Sequence, residues 1–240
     1  MKKRILTCLM AVSLLVSLLA VPVGAASVTK FSDVSDSYTA TAIETLRLMG
    51  VLDGYGDGTF RPDTVLNRAQ FCKMAVYAMD GSGELGRYST VTIFPDVKPS
   101  HWASAYINMA SRKGIISGFA DGKFKPGQTV TAGQAVTILM RGLGYKDEDM
   151  GGVWPQSYMA EAQTNGLLKS TGITSAYAGV TRAQAAKLFM NLFEAKHGKG
   201  DVLFSYSVGK DEVYLTAVDG GKGTMTAGGT EYDMAHPVTS

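Results

Sequence analysis

Cysteine is almost missing from this chain, with only Cys8 and Cys72 in 240 residues. Histidine is as scarce, and His101, His197 and His236 are scattered with no pair at metal-ligand spacing. Neither sign of charge dominates, since 23 basic residues face 21 acidic ones for a net +2. No Gly-x-Ser-x-Gly turn presents a nucleophile, and no Lys-Ser/Thr completes a phosphate loop. These shortages argue against a disulfide scaffold, a zinc centre and a broad basic surface for nucleic acid. No catalytic set, cofactor or metal is expected, and stability has to come from a packed core.

What is present begins with Met1-Lys2-Lys3-Arg4, an apolar run from Ile5 to Val21, and small residues ending at Ala26. Such an order reads as a secretory signal peptide over 1–26, cleaved near Ala25 or Ala26, rather than a spanning helix. Its removal takes away three positive charges and no negative ones, turning +2 into −1, and removes Cys8. Cys72 then stands alone in an apolar stripe beside Phe71, as a small core residue rather than a nucleophile.

Internal repetition organises the rest. At an offset of 64, Gly50-Val51-Leu52-Asp53-Gly54 falls on Gly114-Ile115-Ile116-Ser117-Gly118, and Asp57-Gly58-Thr59-Phe60-Arg61-Pro62 on Asp121-Gly122-Lys123-Phe124-Lys125-Pro126. A third copy follows from placing Gly166-Leu167-Leu168 on the same glycines, with a shortened loop before Thr181-Arg182-Ala183-Gln184. Trp102, Ala105, Tyr106 and Met109 share one helical face, and Tyr38, Trp102 and Trp154 stand at equivalent positions. Ser100 is a candidate cap, and Gly114 a helix stop. Asn67-Arg68-Ala69-Gln70, Thr131-Ala132-Gly133-Gln134 and Thr181-Arg182-Ala183-Gln184 each resemble a capping box opening a second helix. Apolar stripes follow at Phe71, Met74, Ala75 and Ala78, and at Ala185, Leu188, Phe189 and Leu192.

The spacing therefore predicts a mainly α fold, with three helix-loop-helix units closed around a shared axis as a pseudo-threefold bundle. Units are expected at 27–90, 91–145 and 146–197. A short β-rich segment over 198–240 is read from Val202–Val208 and Glu212–Val218, with Gly-rich connections after them. The Asp53–Gly58 stretch makes a poor calcium loop, because Tyr55 would take its third position and Thr64 its twelfth, where a bidentate Glu is needed. A turn requiring positive φ is the reading for its glycines.

The order Phe31-Ser32-Asp33-Val34, helix, Gly50 to Gly54, Asp57 to Pro62, then Asn67-Arg68-Ala69-Gln70 resembles the S-layer homology repeat. Phe94-Pro95-Asp96-Val97 opens the second copy in the same way. The resemblance implies a three-lobed helical fold that binds secondary cell-wall polysaccharide, often pyruvylated, without covalent attachment or catalysis. It implies ligand grooves between lobes, where Arg68 and Arg182 would meet an acidic sugar substituent, beside Gln70 and Gln184 in place of the family's Glu. An Arg in the first turn of a helix sits at the end the macrodipole disfavours, and a carboxylate bound there together with free helix N–H groups would reverse that balance.

Copy two has Ala132 at the Arg position and copy three lacks the Phe-x-Asp-Val start, so one or two working grooves are expected. Asp33 and Asp96 could bind sugar hydroxyls or cap the following helix, with capping favoured. Trp102 could stack on a sugar, although a repeated helical aromatic is more often core. The implied setting is the cell wall or S-layer of a Gram-positive-type envelope, with lateral S-layer contacts left open. The alternatives are an anchored extracellular enzyme, or an S-layer structural subunit, whose main functional region lies outside these residues.

Overall fold

The computed structural model describes residues 31–79, 85–195 and four strands beyond them. The signal-peptide reading lies outside the described residues. Six helices follow as three sequence pairs, α1 (Ser37–Leu48) and α2 (Arg68–Met79), α3 (Ser104–Arg112) and α4 (Ala132–Gly142), α5 (Gln156–Thr164) and α6 (Arg182–Glu194). In space the second helix of each packs on the first helix of the next: α2 on α3, α4 on α5 and α6 on α1. The first helix of each pair ends at a glycine in the left-handed region, Gly50, Gly114 or Gly166. The expected capping boxes form at Thr131–Gln134 and Thr181–Gln184, and Asn67 and Gln70 exchange the same two bonds.

One apolar core runs through all three pairs, and Ile43, Phe71, Ile107, Leu139, Leu188 and Phe189 are fully buried in it. Each such side chain contributes roughly 1.5 to 3 kcal/mol on burial. At the centre, Leu66 N–H donates to Val180 O (2.9 Å), Val180 N–H to Val130 O (3.0 Å) and Val130 N–H to Leu66 O (3.0 Å). This triangle of backbone bonds closes the third pair onto the first, so the three units form a ring.

Asp33 and Asp96 neither cap a helix nor stand free, contrary to the expectation that favoured capping. Asp33 accepts from Phe60 N–H (2.8 Å) and Arg61 N–H (2.7 Å), and Asp96 from Phe124 N–H (2.9 Å) and Lys125 N–H (2.7 Å). These bonds hold Arg61 and Lys125 at φ 58° and 59°, a conformation most side chains avoid. The cap of α1 is Asp36, three residues further on. The rings of Phe31 and Phe94 press onto Gly54 and Gly118, where a Cβ would fall 2.0 and 2.6 Å from them. Close approach rather than positive φ therefore requires glycine at these two positions, while Gly58 and Gly122 do take positive φ. The Phe-x-Asp-Val and Asp-Gly-x-Phe motifs are thus two halves of one clamp.

Other expectations are corrected at α3. The helix begins at Ser104 with Ala103 in the cap position and no side-chain cap, so Ser100 does not serve. His101 Nδ1 instead accepts the Ala103 N–H at 3.1 Å. Trp102 precedes the helix in a turn and is 56% exposed, and Trp154 is 50% exposed, so neither is core. The face turned inward carries Ala103, Ile107 and Ala110 together with the expected Met109, while Tyr106 is half-buried against the core and Trp102 lies outside it.

The expected strands stand at β1 (Phe204–Val208) and β2 (Val213–Ala217), paired antiparallel. A second hairpin, β3 (Thr224–Ala227) with β4 (Thr230–Asp233), occupies the stretch read as Gly-rich connections. The Gly-Gly pair between these strands is itself a strong two-residue hairpin signal. No helix among the described residues is long and apolar enough to cross a membrane.

Candidate functional site

Three junctions follow from the ring, each placing the start of one unit's second helix on the loop of the next. At the first, the Arg68 and Ala69 N–H groups donate to Gln128 O and Pro126 O (2.9 and 3.0 Å), and the Gln70 N–H to Asn67 Oδ1 (2.8 Å). Arg182 and Ala183 repeat this with Thr64 O and Pro62 O, and Ala132 and Gly133 with Ala178 O and Ala176 O. The free helix N–H groups that sequence reasoning offered to a carboxylate are therefore spent on neighbouring carbonyls. A buried helix start has to satisfy its donors within the protein.

What remains for a ligand is the guanidinium. Arg68 is only 5% exposed, donates from Nε to Phe124 O (2.7 Å) and from Nη2 to Ser117 O (3.3 Å), and lies over the rings of Phe119 and Phe124 at 4.6 and 4.4 Å. Arg182 donates to Phe60 O (2.8 Å) and Asp53 O (2.6 Å) and lies over Tyr55 and Phe60 at 5.1 and 4.3 Å. Among the described residues no carboxylate forms an ion pair with either. Burial pushes the Arg68 guanidinium down to about 10 and lowers Arg182 as well, so both stay cationic at neutral pH.

Each of these two sites sandwiches an aromatic between cations. Tyr55 lies between Arg182 and Arg61 (3.8 Å from its centroid), and Phe119 between Arg68 and Lys125 (4.3 Å). The outer cation has its own acid, Asp57 for Arg61 and Asp121 for Lys125, at 2.9 and 3.0 Å. The inner cation has none, and an uncompensated, half-desolvated charge is the ingredient an anion site needs.

Arg68 opens into a cleft of about 420 Å³ between the second and third units, lined also by Phe119, Gln134, Arg141, Asp147 and Trp154. Trp154 hangs over α4 by an Nε1–H bond to Thr137 Oγ1 (3.0 Å) and turns one edge to the cleft. Arg141 lies 64 residues after Tyr77, whose hydroxyl meets that of Tyr106 at 3.3 Å in the first unit. Sequence reasoning passed over Arg141, which reads as an ordinary basic residue at a helix C-terminus. Tyr55 and Phe119 were within reach, because the offset of 64 superposes them. Of the predicted site residues, only Arg68 lines this cleft; Trp154, not Trp102, is the tryptophan there, while Asp33 and Asp96 serve the clamp and Gln70 and Gln184 spend their Oε1 on the capping boxes. Trp102 has its ring stacked beside His101, with centroids 5.8 Å apart. Burial pushes the Cys72 thiol up to about 12, as befits an inert core residue.

The S-layer homology domain model matches residues 30–72 and 93–136, which carry the clamp and junction motifs of the first two units. The chain belongs to the S-layer homology family. Its third helix pair lies outside those matches and takes its place in the ring by structure. Relatives include a cell surface protein of Thermoanaerobacter kivui, 37% identical over 166 residues, 68% of this chain and 21% of that protein. The middle cell wall protein of Brevibacillus brevis is 32% identical over 158 residues, 65% of this chain and 14% of its own. A cellulosome-anchoring protein of Acetivibrio thermocellus is 32% identical over 115 residues, 47% of this chain and 26% of its own. The chain thus spans no more than 26% of the length of any of these three relatives.

Proposed function

We propose that this S-layer homology chain anchors an exported protein to the cell wall by binding an acidic secondary cell-wall polysaccharide, with a pyruvyl-type carboxylate as the group recognised. The chain belongs to the cell wall or S-layer, and its role there is attachment rather than catalysis. The observation that carries the polysaccharide reading is the pair of guanidiniums, Arg68 and Arg182, neither with a carboxylate partner among the described residues, and the first of them lining a cleft. A carboxylate arriving at such a group supplies the missing counter-charge, and the adjoining aromatic and amide groups suit a sugar ring. Asp33 and Asp96 support this indirectly by fixing the loops that the guanidiniums rest on, and Gln70 and Gln184 by setting the helix starts. Trp102 is an exposed ring outside the lining of the Arg68 cleft, where Trp154 stands instead.

The test is co-sedimentation of the purified chain with wall sacculi, before and after the non-peptidoglycan polymer is stripped. Binding that survives stripping unchanged rejects the reading. Arg68→Ala, Arg182→Ala and the double variant, with folding checked by circular dichroism, should each weaken binding by on the order of 1.5 to 3 kcal/mol for the groove concerned.

A further inference from the structure

The cleft that holds Arg68 contains a second guanidinium with its own internal anion. Arg141 donates from Nε to Asp147 Oδ1 (2.9 Å), from Nη2 to Asp147 Oδ2 (2.6 Å) and from Nη1 to Ser117 Oγ (3.1 Å). Ser117 O also accepts from Arg68 Nη2 at 3.3 Å, so both guanidiniums converge on one residue of the cleft wall. Tyr158 donates its hydroxyl to the same Asp147 oxygen that Arg141 Nε reaches. The Arg141 side chain is 17% exposed and that of Asp147 66%, which puts the carboxylate at the solvent mouth, on a one-turn 3-10 segment (Asp147–Asp149). Among the lining residues the charged groups are Arg68, Arg141 and Asp147, leaving one net positive charge. Without Asp147 it would be two.

We propose that Asp147 is the residue that sets the charge selectivity of this groove: by neutralising Arg141 it leaves Arg68 as the single open cation, so the groove accepts a substituent with one carboxylate and rejects multiply charged phosphate groups. The inference rests on the polysaccharide-binding reading. With its carboxylate so exposed the pair contributes little to stability, so its main effect is on the charge of the cleft. Beside Arg182 the position equivalent to Arg141 is Tyr77, bonded to Tyr106, so among the described residues that junction carries no equivalent guanidinium.

Asp147→Asn keeps the shape and removes the charge. It should bind sacculi on the order of threefold to tenfold more tightly at low salt, lose that gain as salt screens it, and become several-fold more sensitive to competition by polyphosphate. Asp147→Ser, read the same way, guards against an effect peculiar to the amide, and Asp147→Asn combined with Arg141→Met should abolish the gain. Unchanged or weaker binding by both folded Asp147 variants, with polyphosphate competition as in the parent, overturns the proposal. If the Arg68/Arg182 double variant loses binding while the Asp147 variants change nothing, this inference fails alone. If the double variant binds normally, the polysaccharide reading fails with it.

Discussion

The junction at Arg68 and the junction at Ala132 are built on the same backbone plan yet differ in what they can bind. Both start a helix with a capping box, and both donate two successive amides to the next unit's loop. At the first, a guanidinium lies buried between aromatic rings. At the second, Ala132 is 1% exposed and Gly133 lies under Pro155, where a Cβ would fall 2.7 Å from the Pro155 Cβ. The space an arginine would need there has been filled by the start of the third unit. Holding the ring together and presenting a cation are therefore separable tasks, and the second unit has kept only the first of them.

Arg68→Ala tests that separation most severely. It opens a cavity and leaves Phe124 O and Ser117 O without their donor, so urea unfolding should show a loss of about 2 to 4 kcal/mol. A change under about 0.5 kcal/mol would mean the guanidinium is not part of the junction's structure. Ala132→Arg is the converse. It should lower stability by about 1 to 3 kcal/mol through overpacking and should not increase sacculus binding. A stable variant with stronger binding would show that the second junction had merely lost a residue.

Thr131→Ala and Thr181→Ala should each cost about 1 kcal/mol in thermal or urea unfolding, since the same capping box is removed from a junction without an arginine and from one with it. Clearly unequal losses would tie the cap to binding after all.

The smallest effect concerns acid. Backbone N–H donors hold the Asp33 and Asp96 carboxyls below the usual carboxylate range, against the opposing pull of burial that leads at Asp96. A depressed folded pKa means the clamp's contribution is present above the unfolded value near 4 and is lost as pH falls through the lower folded value. Melting temperature should therefore decline below about pH 4, and less steeply in Asp33→Asn and Asp96→Asn. The third unit lacks this clamp motif and adds to that decline through Asp147 instead, whose carboxyl the Arg141 and Tyr158 hydrogen bonds hold below the usual range.

Much of the ring was legible because its periodicity is written in residues with one structural use. Gly50, Gly114 and Gly166 stop helices, and the three capping boxes start them. The site was less legible. Whether Arg68 faces solvent or a neighbouring loop depends on which unit packs next to it, and no local pattern encodes that. Asp33 read as a cap because a short acidic residue before a helix usually is one, whereas its partners lie 27 and 28 residues away. Trp102 looked like core because helical periodicity was extended one turn too early, past the real start at Ser104. Arg141 and Asp147 meet through a connection whose sequence is acidic and unremarkable.

The triangle of bonds among Leu66, Val130 and Val180 distinguishes this molecule from a linear stack of repeats. A stack can fray, shedding an end unit at the cost of one interface, and lengthens or shortens without changing its neighbours. A closed circuit has no end unit. Releasing any one pair breaks two of the three central bonds at once, so a pull applied to the attached protein would meet all-or-none resistance rather than gradual peeling. For the wall anchor proposed above, that mechanical consequence would matter as much as the affinity of any single groove.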